Sequence, residues 1–98
     1  MTAYAIMDVD IFDIGEYMKF MKEVRPLIES AGGSYLARGG ELRVYEGDYE
    51  PRRLVIIEFP SLSAMDEFYS SEAYQKLKLV RDECSSSRLM AVEGLKKG

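Results

Sequence analysis

The chain has 98 residues, 47% hydrophobic and 31% charged, enough for one domain and too few for a second core. Its net charge is −4, and its basic residues are dispersed rather than clustered, which argues against nucleic-acid binding. It contains no histidine, which excludes imidazole triads, histidine-ligated zinc and histidine-ligated haem. No spacing suggests an oxygen-only metal site, so neither a metal nor a cofactor is expected.

The apolar runs are only a few residues long, far too short to cross a bilayer. The start, Met1-Thr2-Ala3-Tyr4-Ala5-Ile6-Met7-Asp8, has neither the basic beginning nor the apolar stretch of a secretory signal. A cytoplasmic location is expected, in keeping with a single cysteine, Cys84, that has no internal partner. Residues 1–95 are expected to form one domain and 96–98 a tail.

Ala3 to Asp10 alternates as a strand, with Tyr4 and Ile6 on one face and Ala5, Met7 and Val9 on the other. Asp13, followed by Glu16, reads as a helix N-cap with a capping box. Tyr17, Phe20, Met21, Val24, Leu27 and Ile28 then mark one helical face. Pro26 is expected to kink or loosen this helix, and Gly32-Gly33 to close it. Ser34 to Tyr45 reads as a strand interrupted by a bulge at Gly39-Gly40. Glu46 to Pro51 reads as a turn and Arg53 to Phe59 as a strand stopped by Pro60.

Ser61 or Ser63 caps a second helix carrying Leu62, Met65, Phe68 and Tyr69, which Ser70-Ser71 breaks or re-caps. Tyr74, Leu77, Val80, Arg81 and Cys84 continue a helical face. Ser85-Ser86-Ser87 is expected to end it, with Leu89 to Val92 as the last strand and Gly94 to Gly98 as a frayed end.

The order β-α-β-β-α-β predicts an α+β, ferredoxin-like domain with both helices on one face of a four-stranded antiparallel sheet. The strands are apolar on both faces. Leu54 and Ile56 oppose Val55 and Ile57, and Leu89 and Ala91 oppose Met90 and Val92. Helices cover only one face, so a second copy is the simplest cover for the other, and a homodimer is expected.

Four blocks carry a resemblance: Gly32 to Gly40 (Gly-Gly-Ser-Tyr-Leu-Ala-Arg-Gly-Gly), Glu46-Gly47, Glu58-Phe59-Pro60-Ser61 and Tyr69-Ser70-Ser71-Glu72-Ala73-Tyr74. In order and spacing they resemble an uncharacterised bacterial family, domain of unknown function 1330, over about Tyr4 to Gly94. The resemblance implies a dimeric α+β barrel, two ferredoxin-like subunits packed sheet to sheet. It implies no activity. Wider relatives of that fold include cofactor-free monooxygenases, lactone isomerases and haem-degrading enzymes, the last with an axial histidine that this chain lacks.

Arg38 and Glu58 are the first candidate site residues. Folding the chain back at Glu46 to Pro51 is expected to bring them close, as a structural ion pair or as an anion clamp beside a base. Asp8, with Asp10, closes the first strand and is either a solvated acid or a carboxylate that approaches Glu58. Tyr35, Tyr69 and Tyr74, with Phe59 and Phe68, are core aromatics or the lining of a ligand pocket. Gly39-Gly40 forms a bulge or offers N–H groups to an anion. Arg81 either faces the sheet and joins Arg38 or is exposed. Cys84, beside Asp82 and Glu83, is not expected to act as a nucleophile.

Two functions follow. One is a small homodimeric protein that binds a small organic ligand, anionic or phenolic, between sheet and helices through Tyr35, Arg38, Glu58, Tyr69 and Tyr74. The other is a cofactor-independent enzyme, an isomerase or monooxygenase type on a small carbonyl, phenolic or lactone compound. There Glu58 is the base, Arg38 the electrostatic stabiliser and a tyrosine the acid.

Overall fold

In the computed structural model, which describes residues 1–95, Ala3–Ile11 forms β1 near the centre of a sheet. Its odd-numbered residues, Ala3, Ala5, Met7 and Val9, are buried, and its even-numbered residues up to Asp8 are partly exposed. Asp13 accepts a hydrogen bond from the Glu16 N–H at 3.2 Å and starts α1 (Ile14–Ser30). The helix buries Tyr17, Phe20, Val24 and Ile28 and continues past Pro26 to Ser30. It closes in a Schellman arrangement. Gly33 N–H donates to Ile28 O at 2.8 Å and Gly32 N–H to Glu29 O at 3.0 Å. Gly32 has φ of 84°, and a Cβ there would lie 2.8 Å from Pro60 Cγ, so both backbone and space require glycine.

The chain continues as β2 (Ser34–Arg38), β3 (Leu54–Phe59), α2 (Leu62–Ser70), α3 (Glu72–Cys84) and β4 (Ser85–Glu93). The sheet is antiparallel throughout, in the order β2-β3-β1-β4. The three helices share one face of it and bury a single core with the odd residues of β1 and with Val55, Ile57 and Phe59 of β3. No helix among the described residues is long and apolar enough to cross a membrane.

Three elements differ from the sequence expectation. The strand predicted to reach Tyr45 ends at Arg38, and its bulge falls between Tyr35 and Ala37 rather than at Gly39-Gly40. Gly39 turns at φ 68° and β3 begins only at Leu54, so residues 40–45 have no neighbouring strand to pair with. The break expected at Ser70-Ser71 is present and makes two helices: Ser61 caps α2, and Ser71 caps α3 by accepting from Tyr74 N–H at 3.2 Å. The serine triplet does not precede the last strand but opens it, paired with Val9, Asp10 and Ile11. Buried Ser85 is tolerated there because its hydroxyl donates to Arg81 O. Finally, Gly94 is tied by its N–H to Thr2 O at 2.8 Å; the predicted tail, 96–98, lies outside the described residues.

The face away from the helices carries Tyr4, Ile6, Leu54, Ile56, Met90 and Val92, aligned across three strands by the register. Asp8 and Arg88 stand at one end of this face, and Glu58 at the other. No element of the described residues lies over its apolar centre.

Candidate functional site

A cleft opens between the helices and the sheet. Ala5, Met7, Val55 and Ile57 form its floor, α1 supplies Tyr17 and Phe20, and α2 and α3 supply Phe68, Tyr69, Tyr74 and Arg81. Tyr35 and Arg38 of β2 complete one side. The space left for water-sized groups is about 30 Å³, within a cleft of about 480 Å³ that includes its open mouth.

The aromatic wall is a contiguous stack. Tyr69 and Tyr74 meet edge to face with centroids 4.9 Å apart, and Phe68 lies 4.9 Å from Tyr69 and 5.1 Å from Tyr74. Phe59 packs behind, 5.5 Å from Phe68. The broken helix aims these rings: Ser71 reverses the caps between Tyr69 and Tyr74, so both turn inward.

The charge around the cleft is cationic. The Arg38 guanidinium sits 4.6 Å above the Tyr35 ring. Arg81 is only 4% exposed and donates from Nη1 to the Tyr74 hydroxyl at 2.7 Å. On the inner face beside α1, Arg53 reaches the Met21 sulfur at 4.0 Å and has a buried Nε–H without an acceptor. No carboxylate lines the cleft among the described residues. Burial raises the phenol pKa of Tyr17, Tyr35, Tyr69 and Tyr74, and nearby arginines only partly offset it. All four hydroxyls therefore remain protonated near neutrality and can donate hydrogen bonds.

Tyr35, Tyr69, Tyr74 and Arg38, singled out from sequence, meet in this cleft; Glu58 does not. Arg38 ends β2 and pairs with Val55 at the start of β3, on the helix side. Glu58, at the far end of β3, pairs with Ser34 and Tyr4 on the opposite face. Successive antiparallel strands bring the end of one beside the beginning of the next, so their two ends are kept apart. The same geometry separates Asp8 from Glu58, because Asp8 pairs with Leu54. Asp8 instead accepts from the Tyr49 hydroxyl and, at 2.9 Å, from Arg52 N–H. The Tyr49 bond holds its carboxyl below the ordinary range, which opposes proton sharing. The single changes Arg38→Met and Glu58→Gln should accordingly add in the double mutant, within about 0.5 kcal/mol of unfolding free energy. A coupling well above that would place the two side chains in contact.

Gly39-Gly40 offers no paired N–H cradle, since Gly39 N–H already donates to Leu54 O at 3.0 Å. Cys84 is buried, and burial pushes its thiol pKa up, consistent with an inert side chain. Sequence reasoning left Arg81 open between sheet and solvent. Its signal was the spacing from Tyr74 to Arg81, seven residues or two helical turns, which puts both on one face.

The model of the family described as "Domain of unknown function (DUF1330)" matches residues 2–95. The chain belongs to this family. No curated protein matches its sequence. Among solved structures, it is similar to a protein of unknown function from Rhodopseudomonas palustris, with TM-score 0.75 and 19% identity, covering 98% of this chain and 84% of that one. It is also similar to a dimeric ferredoxin-like protein of unknown function from Jannaschia sp. CCS1, with TM-score 0.75, 10% identity and 96% and 100% coverage. A variant of SnoaB, a cofactor-independent oxygenase from Streptomyces nogalater, matches with TM-score 0.70, 8% identity and 98% and 95% coverage. At these identities the DUF1330 chain shares a fold with its structural neighbours, which assigns it no activity.

Proposed function

We propose that this DUF1330 protein binds a small organic ligand in the cleft between sheet and helices, as a homodimer in the cytoplasm. The observation that carries the reading is the cleft itself, with Tyr69 and Tyr74 in its wall, Tyr35 and Arg38 at its side and no carboxylate in its lining. Protonated phenols and two guanidinium groups suit an anionic or phenolic oxygen, and the aromatic wall suits an apolar body. The dimer rests on the uncovered apolar face; burying each of Ile6, Ile56, Leu54 and Met90 there would contribute up to roughly 1.5–3 kcal/mol. The dimeric neighbour from Jannaschia supports this assembly.

A second reading, a cofactor-independent enzyme on the same cleft, draws on the fold shared with SnoaB. It lacks the base assigned to it from sequence, because Glu58 faces away from the cleft. Binding without chemistry therefore needs fewer assumptions. Amide spectra recorded during titration with small phenols and aromatic acids test the ligand site. Shifts are expected around Tyr35, Tyr69 and Tyr74. Shifts confined to Ile6, Ile56 and Met90, or none with any compound, would overturn it.

A further inference from the structure

We propose that Arg81 is the anchor of the cleft and that the ligand carries a single carboxylate. The inference rests on the reading of the cleft as a ligand site and names the ligand's chemistry.

Arg81 belongs to α3, lines the cleft and is 4% exposed. A guanidinium taken out of water needs acceptors for its five N–H groups and a compensating charge. Arg81 has neither in full. Nη1 donates to the Tyr74 hydroxyl at 2.7 Å and points a weak contact at the Met7 sulfur, 3.8 Å away. Nη2 reaches Asp82 Oδ1 at 3.4 Å, and Nε–H has no acceptor. Asp82 is half-exposed and closer to Lys78, at 3.1 Å. Two cations thus share one carboxylate, which leaves one positive charge over.

The unmet requirement is one negative charge and at least one acceptor. A carboxylate supplies both, because its two oxygens match the fork of Nε–H and a terminal N–H. The open space of about 30 Å³ is enough for about two water-sized groups, the size of those two oxygens. A phosphate brings more oxygens and more charge than this environment meets. The Tyr69 and Tyr74 rings, edge to face beside Arg81, leave an apolar wall for the ligand's body. A small monocarboxylate fits these features when its two oxygens take the enclosed space and its apolar body extends into the open mouth of the cleft of about 480 Å³.

Benzoate and its neutral counterpart benzamide are the probes. Benzoate is expected to bind the intact protein at least about tenfold more tightly than benzamide. It should also shift the Arg81 Nε–Hε resonance, a readout that needs no variant. In Arg81→Met the preference should vanish, and Arg81→Lys should keep only part of it, since lysine has no fork. Equal affinity for the two probes, or tight benzoate binding with the Arg81 Nε–Hε signal unmoved, would overturn the role of Arg81 while leaving the cleft a ligand site. Failure of both probes to perturb any residue of the cleft would overturn this inference, and failure of the small phenols as well would overturn the ligand reading.

Discussion

Ile57→Asp is expected to abolish folding, and Ile56→Asp, one residue earlier, to give a folded monomer. The two side chains leave β3 on opposite faces. Ile57 is buried in the core beside Ala5 and Tyr35, its register partners on β1 and β2. An aspartate there loses about 1.5–3 kcal/mol of apolar burial. It also leaves a polar group without partners, at roughly 1–3 kcal/mol more. Together these reach the lower end of the stability of a small domain, about 5–15 kcal/mol, and keeping the aspartate charged in the core costs more still. Ile56 lies on the uncovered face, beside Ile6 and Ala37. A carboxylate there stays hydrated in the single subunit, so the fold survives. Pressed against a second apolar sheet it would be desolvated, so the dimer would not form. Circular dichroism reads folding and light scattering reads mass. Wild-type protein of monomer mass at micromolar concentration, or an Ile56→Asp variant that remains dimeric, would remove the open face as the interface.

This pair of neighbours also shows what the sequence made legible. Alternation in β1 and β3 and the apolar stripe from Tyr17 to Ile28 determine which residues meet the helices, and these patterns are local. The aromatic part of the cleft was legible for the same reason: Tyr69 and Tyr74 each fall on the apolar face of a helix whose serine caps are visible in sequence. Pairing between strands is not local. A bulge at Leu36 moves the register of β2 by one residue, and a shift of one transfers every later side chain to the other face. Arg38 reaches the cleft through that shift, while Glu58, beyond its influence, remains on the open face. Residues Glu41 to Tyr45 have the composition of a strand but no partner strand beside them, and propensity alone does not form a ladder. The burial of Arg81 was signalled only by its spacing of seven from buried Tyr74, and a charged side chain at such a position is ordinarily exposed.

Alkaline unfolding is the second large effect expected, beginning near pH 10. Burial is the leading cause of the raised phenol pKa at Tyr17, Tyr35, Tyr69 and Tyr74, with Tyr69 raised furthest. Each phenol therefore holds its proton more tightly in the folded chain than in the unfolded one. Below the unfolded pKa both states are protonated, and the stabilisation is complete. As pH rises above it, the unfolded chain ionises first and stability falls until the folded pKa is reached. Each group contributes a slope of up to ~1.4 kcal/mol per pH unit, an upper bound that solvent screening lowers. Four such slopes act together in one cleft, so the loss should be steep and cooperative rather than a gradual titration. The arginines work against it. Arg81 favours ionisation at Tyr17, Tyr69 and Tyr74, as Arg38 does at Tyr35, but in each case the effect is smaller than that of burial. Tyrosinate absorbance and far-ultraviolet circular dichroism should therefore change together. Tyr69→Phe should move the transition to higher pH, because it removes the group with the largest difference between the two states. If the tyrosines ionise smoothly while the circular dichroism holds, the four phenols are open to water and the cleft is not the dry, aromatic site described.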